Sequence, residues 1–473
     1  MFTRKTRCRH TRTDKNHSLI ITTLPPGITF LAVVCSLLFA ACENPFIVQL
    51  LEPKTVSFNS NGGSYVSSQN LFKGQPVKRP ADPVKSGNYF TGWYRDNGAF
   101  DYEWNFDTVP TSDLTLYARW TEYNEYTNGK DKPFKVYDVT TLKYVGRGDE
   151  NPKGYKEWTQ DANYELIANI NLSGTGYWTP IGLIVSSGFI GRFNGNGKTI
   201  TGLATMATEP GDGTTGMFKI IGSGGVVENL ALVNCNIGAG ANSFIGGLAG
   251  VNSGTVRFCS VSGNITGGAT VGGIVGENGG TVENCYSTAN VSSWGSSIGG
   301  VVGTNESTVQ NCYATGTVEG NINVGGVVGF IESSGGVINC YSTGTVIGTD
   351  FVGGIAGEAE NNSKVMNCVA LNPNVMATGA DEHIGRVAGN RNNYSVMDNN
   401  YGRIDMNLNN QAETWSNNIS SGNDGADVTS SNYNSENWWK TAGNWSGGAW
   451  NFTSIWVWDN AAKLPKLRNV GGQ

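Results

Sequence analysis

The feature that most constrains this chain is a ladder of near-copies between residues 244 and 357, in which aliphatic-Gly-Gly-aliphatic-(Val/Ala)-Gly recurs. The second glycines of the pairs are Gly247, Gly273, Gly300, Gly326 and Gly354, at steps of 26, 27, 26 and 28 residues. Cysteines keep the same beat at Cys235, Cys259, Cys285, Cys312, Cys340 and Cys368. A unit this short cannot bury its own apolar residues, so neighbouring copies must stack and share a core.

One copy can be folded from its letters. Between Val282 and Val291, strand alternation puts Cys285, Ser287, Ala289 and Val291 on one face and Tyr286 and Thr288 on the other. Val282 is out of phase with Cys285, so the chain turns a corner near Asn284, a residue type that tolerates the left-handed conformation. The Gly-Gly strand then closes the coil. The expected fold is all-β: a right-handed parallel β-solenoid of ~26-residue coils about 4.8 Å apart, with six or seven coils making a rod of about 30 Å. Composition agrees, since 66 glycines, 15% charged and 10% aromatic residues fit neither a helical nor a disordered chain.

The first residues carry Arg4, Lys5, Arg7, Arg9, Arg12 and Lys15 ahead of an apolar run at 28–41. That order is a secretory signal's, and the run is short for a membrane span. Leu38-Phe39-Ala40-Ala41-Cys42 resembles a bacterial lipobox, Phe39 departing from the usual small or aliphatic residue. The resemblance implies removal of 1–41 and a lipid on Cys42, hence an exported bacterial lipoprotein held at the envelope, at the outer membrane or cell surface. Losing 1–41 takes away six Lys/Arg and one Asp, leaving 26 basic and 37 acidic residues and a net charge of −11. Such a surface argues against nucleic acid as a partner. His10 and His17 leave with the signal, so His383 alone remains.

Residues 42–53 read as a tether. Residues 54–121 alternate strands with turn residues: Thr55-Val-Ser-Phe-Asn-Ser-Asn-Gly-Gly, Gly74-Gln-Pro-Val, Phe90-Thr-Gly-Trp-Tyr and Asp113-Leu-Thr-Leu-Tyr-Ala-Arg-Trp. They resemble the internalin-type B repeat, also called the Listeria-Bacteroides or Flg_new repeat, which implies a compact β-grasp-like spacer or weak binding module. Residues 122–134 read as a linker, 135–240 as the solenoid's N-terminal cap and first coils with a short helix at 139–144, and 241–401 as the array. Val271-Gly-Gly-Ile-Val-Gly-Glu-Asn-Gly-Gly-Thr-Val-Glu-Asn-Cys-Tyr-Ser-Thr resembles the GLUG motif of bacterial surface proteins. That resemblance implies an extracellular β-solenoid of adhesin-like proteins, found also as an accessory region of IgA-specific metallopeptidases. Gly385-Arg386 and Asn399-Asn400-Tyr401 break the pattern where the stack should end. Residues 402–473 are expected to form an Asn/Ser-rich loop, then an aromatic lid over the open end, built from Trp438, Trp439, Trp445, Trp450, Trp456 and Trp458. A carbohydrate-stacking platform is the other reading of these rings.

The array cysteines recur at one inward strand position, the setting of free buried thiols rather than of disulfides or a metal site. Tyr286, Tyr313 and Tyr341 form an outward row, which could stack on glycan rings or simply on one another across the rungs. Glu277, Glu306, Glu332 and Glu358 fall near the coil turns, where a carboxylate row could hold Ca²⁺ or serve as a solvated acidic edge; the latter is expected. His-Glu-x-x-His, Gly-x-Ser-x-Gly and a phosphate-binding loop are absent, so neither a catalytic residue nor a cofactor or metal is implied. The expected protein is a non-catalytic surface lipoprotein that binds a glycan or a host or neighbouring-cell surface protein. A carbohydrate-active β-helix enzyme and a purely structural envelope component are the alternatives.

Overall fold

The computed structural model describes residues 53–472, less 73, 86–87, 123–128, 153–154, 183–186, 207–212, 241–242, 380–382 and 409–417. It forms two compact units divided after Tyr123. The expected signal, the lipobox with Cys42 and nearly all of the tether lie outside the described residues.

The first unit is a four-stranded mixed sheet of β1 (Lys54–Asn59), β2 (Gln69–Leu71), β3 (Asn88–Tyr94) and β4 (Leu114–Glu122), in the order β2-β1-β4-β3. The central β1–β4 pair is parallel and both flanking pairs are antiparallel. Val56, Trp93, Leu116 and Ala118 fill the core, with Phe58 and Phe90 edge-on to Trp93 at 4.9 and 5.3 Å. This is the small β module expected at this place.

The second unit is a parallel β-solenoid. Its longest regular face is a ten-stranded sheet running from Phe134–Val136 to Val396–Asp398. At about 4.8 Å per rung those strands span about 43 Å, more than the six or seven coils expected from the motif alone. The extra length comes from Phe134–Val136, Tyr164–Leu166, Arg192–Asn194 and Val226–Glu228, which are full rungs despite lacking the motif. The copies stack in register: Gly272 on Gly299, Val282 on Val309 and Tyr286 on Tyr313.

The repeated letters divide the labour of making a corner. Asn284, Asn311, Asn339, Asn367 and Asn399 have φ of 54°, 52°, 54°, 55° and 48°, so the asparagine of Asn-Cys-Tyr is the left-handed corner expected. The glycine pairs serve close approach instead. A Cβ on Gly326 would sit 2.0 Å from the Gly354 carbonyl oxygen of the next coil and 2.6 Å from Ser342 Oγ across the core. Gly273 and Gly300 face Ser287 and Ala314 in the same way. The coil is therefore flattened here, with small residues on both walls.

The first coil is closed by aromatic rings: Phe134 stacks on Trp158 at 5.0 Å, and Tyr164, buried, donates its hydroxyl to the Thr159 carbonyl. Residues 129–134 belong to this cap and not to a linker, since Gly129 and Lys130 carbonyls accept from Asn163. A helix at Val139–Tyr144, as expected, is started by Asp138, whose carboxylate accepts from Thr141 N at 2.7 Å.

At the other end Arg386 stands where earlier coils have the second glycine. Its guanidinium is fully buried and donates to the carbonyls of Gly402, Asp424 and Gly425, and it pairs with Asp427 at 2.8 Å. The broken repeat is thus a plug: the cation satisfies carbonyls that a further coil would have paired. The stretch 402–437 is only partly loop, because Tyr401–Arg403 and Ala426–Val428 pair as rungs and short helices follow at Ser430–Tyr433 and Glu436–Lys440.

Candidate functional site: the tyrosine face

Tyr286, Tyr313 and Tyr341 stand on consecutive rungs with their side chains outside the coil, in a row continued by Ser260 on one side and by Val369 and Tyr401 on the other. Adjacent rings lie 4.9 Å apart at interplanar angles of 2° and 7°. Rung spacing and ring stacking therefore coincide.

The row is not open to a ligand along its length. Tyr313 and Tyr341 are 8% and 3% exposed, and only Tyr286 is half-exposed. What covers them is the chain's own tail. Trp439, Trp445, Trp450 and Trp456 form a second apolar core with Tyr313, Tyr341 and Val369, separate from the core inside the coils. Trp456 lies 6.3 Å from Tyr313 and 6.1 Å from Tyr341, and Tyr341 donates its hydroxyl to the Pro465 carbonyl at 2.7 Å. Further along, Tyr401 donates to Asn444 O, Ser260 Oγ donates to Gly471 O, and Gly472 N reaches Gly197 O. The tail is thus a strap running back down one side of the stack. The expected lid over the open end is corrected: Arg386 and residues 418–428 close the end, and the tryptophans close a side. Burial raises the ionisation of Tyr313 and Tyr341 far above the ordinary phenol value, so both rings stay neutral.

The thiols are where strand alternation puts them. Cys235, Cys259, Cys285, Cys312, Cys340 and Cys368 are free and buried. Each array thiol donates to the carbonyl two residues back, as Cys285 Sγ does to Glu283 O at 3.1 Å and Cys312 Sγ to Gln310 O at 3.2 Å. Burial pushes the Cys235 thiol up to about 12, and it raises Cys285, Cys312 and Cys368 too, so these four stay protonated in the core.

The acidic residues split into two rows. Glu277 and Glu358 occupy one strand register, with Thr304 and Phe330 between them, while Glu306, Glu332 and Glu360 sit beyond the strand ends. Among the described residues no cluster of three metal-ligating side chains forms. A ladder that sequence reasoning missed lies beside them. Asn252, Asn278 and Asn305 are fully buried and joined head to tail, Nδ2 to Oδ1, at 2.8 Å for both steps. The signal was a shared place five residues after Gly247, Gly273 and Gly300, visible only when the copies are aligned on the glycines.

Comparison with known proteins fits this geometry. Residues 55–119 match the Listeria-Bacteroides repeat domain, and residues 267–292 and 295–319 match the GLUG motif. The chain thus carries one stretch similar to the Listeria-Bacteroides repeat domain and two similar to the GLUG motif. A proposed membrane protein of Evansella cellulosilytica is 47% identical over 74 residues, 15% of this chain and 11% of that protein. Halomucin of Haloquadratum walsbyi is 32% identical over 144 residues, 29% of this chain but 1% of its own length. Internalin H of Listeria monocytogenes is 38% identical over 80 residues, 16% of this chain and 14% of the relative. The chain thus spans a small part of each of these relatives, the first of which is named as a membrane protein. Among solved structures, a proposed immunoglobulin A1 protease from Bacteroides ovatus is similar over 72% of this chain and 94% of that one, at 19% identity and a TM-score of 0.47.

Proposed function

We propose that this chain is an exported surface lipoprotein, anchored through Cys42, whose solenoid is a finished rod that displays a binding surface without turnover. The observation that carries this reading is the closure of the rod by its own sequence. Aromatic rings seal the first coil, Arg386 seals the last, and the tryptophan strap covers the one face whose rings would otherwise be exposed in a row. Open strand edges invite end-to-end growth, and a chain that closes them is built to stand alone. The Listeria-Bacteroides repeat fits a spacer between anchor and rod. Binding partners would be glycans or proteins of a host or neighbouring cell.

Labelled-palmitate incorporation that is lost in Cys42→Ala, together with cleavage of the protein by protease added to intact cells, is the expected result. A chain that stays unmodified at Cys42 and protected on intact cells would overturn the reading.

A further inference from the structure

Resting on that reading, we propose that the rod's binding site is a cleft at its N-terminal cap and that its ligand is a carboxylate-bearing pyranose, such as a uronic or a sialic acid within a glycan. The cleft lies between the helix Val139–Tyr144 and the turn that follows Ile170–Asn171. It encloses about 410 Å³, within the roughly 300–1,000 Å³ of small-molecule sites. Its walls include Lys143, Arg147, Glu150, Tyr177, Trp178 and Thr179.

The turn is built to present one ring. Gly174 and Gly176, at φ of 76° and 88°, let the chain double back, and Thr175 is tied to the Leu172 carbonyl by both its N–H and its hydroxyl. Trp178 is buried and pinned, its indole N–H donating to Met217 O at 2.9 Å. Tyr177 between them is left 61% exposed on a backbone fixed at both sides. A large ring carried on an anchored backbone and open to water is a platform for the apolar face of a sugar.

The charge beside it selects the sugar. Arg147 uses one nitrogen, Nη2, on the carbonyls of Thr179 and Pro180 at 2.8 and 3.1 Å, which fixes the guanidinium, while among the described residues Nε and Nη1 have no acceptor. Lys143, exposed in the last turn of the helix, forms no ion pair among the described residues. In an acidic protein two cations on one wall, beside a stacking ring, suit a ring that carries a carboxylate. Glu150 on the same wall can accept from ring hydroxyls. The adjoining hollow shares Arg147 and Glu150 with the cleft and adds Asp149 and Asp161, so the negative charge is greatest on that side and would turn the sugar's carboxylate toward Lys143.

The test is calorimetric titration of the full chain with three trisaccharides: oligogalacturonate, 3′-sialyllactose and a neutral galactose oligomer. Binding of either acidic sugar at least tenfold tighter than the neutral one, and weakening with salt, is expected. Tyr177→Ala and Lys143→Gln, both on exposed side chains, should each weaken it at least fivefold with an unchanged melting curve. Equal binding of acidic and neutral sugars, no binding of either acid, or full binding by both variants would overturn the site. Surface display is judged separately by protease access on intact cells, so the two readings fail independently.

Discussion

Replacing Trp456 by alanine should unlatch the strap without unfolding the rod. The indole is fully buried between Trp450, at 4.7 Å, and the Tyr313 and Tyr341 rings. Burying a tryptophan removes about 150–250 Å² from water. At about 25 cal/mol per Å² that stabilises the strap by roughly 4–6 kcal/mol. Against this stands the Trp456 indole N–H, buried with no hydrogen-bond partner among the described residues, a cost of about 1–3 kcal/mol that the alanine variant escapes. The expected net loss is therefore about 1–5 kcal/mol. It should be local, because the strap core and the coil core are separate clusters. In urea, tryptophan fluorescence should report an early transition for the strap while far-UV circular dichroism holds to the wild-type midpoint. Limited proteolysis should then cut within 429–472 and leave 129–428 intact. Trp456→Phe, which keeps most of the ring and sheds the unpaired N–H, should lie close to wild type. If both probes instead moved together in one early transition, strap and rod would form a single cooperative unit and the reasoning would be refuted.

Three further perturbations test other parts of the design. Burial first, and then neighbouring carboxylates including Glu306, raise the ionisation of Glu277 and Glu332 above the ordinary value. With the folded pKa raised, their contribution is best below the unfolded pKa and is lost as pH rises through the folded one, so Glu306→Gln should stabilise at neutral pH by ~0.2–1 kcal/mol, read as a higher melting midpoint that vanishes near pH 3 and shrinks in salt. Gly326→Ala should cost about 3 kcal/mol by denaturant titration, since its Cβ would strike backbone of the next coil, whereas Gly279→Ala, with no atom nearer than 3.7 Å and no positive φ, should gain ~0.4–1 kcal/mol. Arg386→Met would strip the plug from buried carbonyls and leave Asp427 without its cation, costing about 3–5 kcal/mol; hydrogen exchange should quicken in 384–428 and not in 164–300.

The coil was legible in the sequence because each of its letters answers a local demand. Alternation around Cys285, the phase slip at Asn284 and the need for no side chain at Gly273 are set within one repeat, and the stack then copies them. The N-terminal rungs lacked that transparency: Phe134, Tyr164 and Phe193 fill with rings the inward place that Val256, Val282 and Val309 fill in the array, so the rung persists while the motif does not. The strap was the hardest to see. Its tryptophans declare only that a large apolar surface must be covered, and they do so equally for an end or a side. What decides is the pairing of Tyr341 with Pro465 and of Ser260 with Gly471, contacts between residues 124 and 211 positions apart that no local pattern encodes.

That pairing also changes what the tyrosine row means. Three rings in register are the cheapest outward repeat a solenoid can make, and left bare they would form an apolar stripe open to any strand edge or ring. The strap's indoles meet those rings, and among the described residues the Trp450 and Trp456 N–H groups find no acceptor, so these two rings hold by shape and area while hydrogen bonds such as Tyr341 to Pro465 fix its course. Its hold therefore depends on several large rings at once. The face whose rings repeat in register is covered by the chain's own tail, whereas at the irregular N-terminal cap Tyr177 stays exposed, with Lys143, Arg147 and Glu150 lining the cleft beside it.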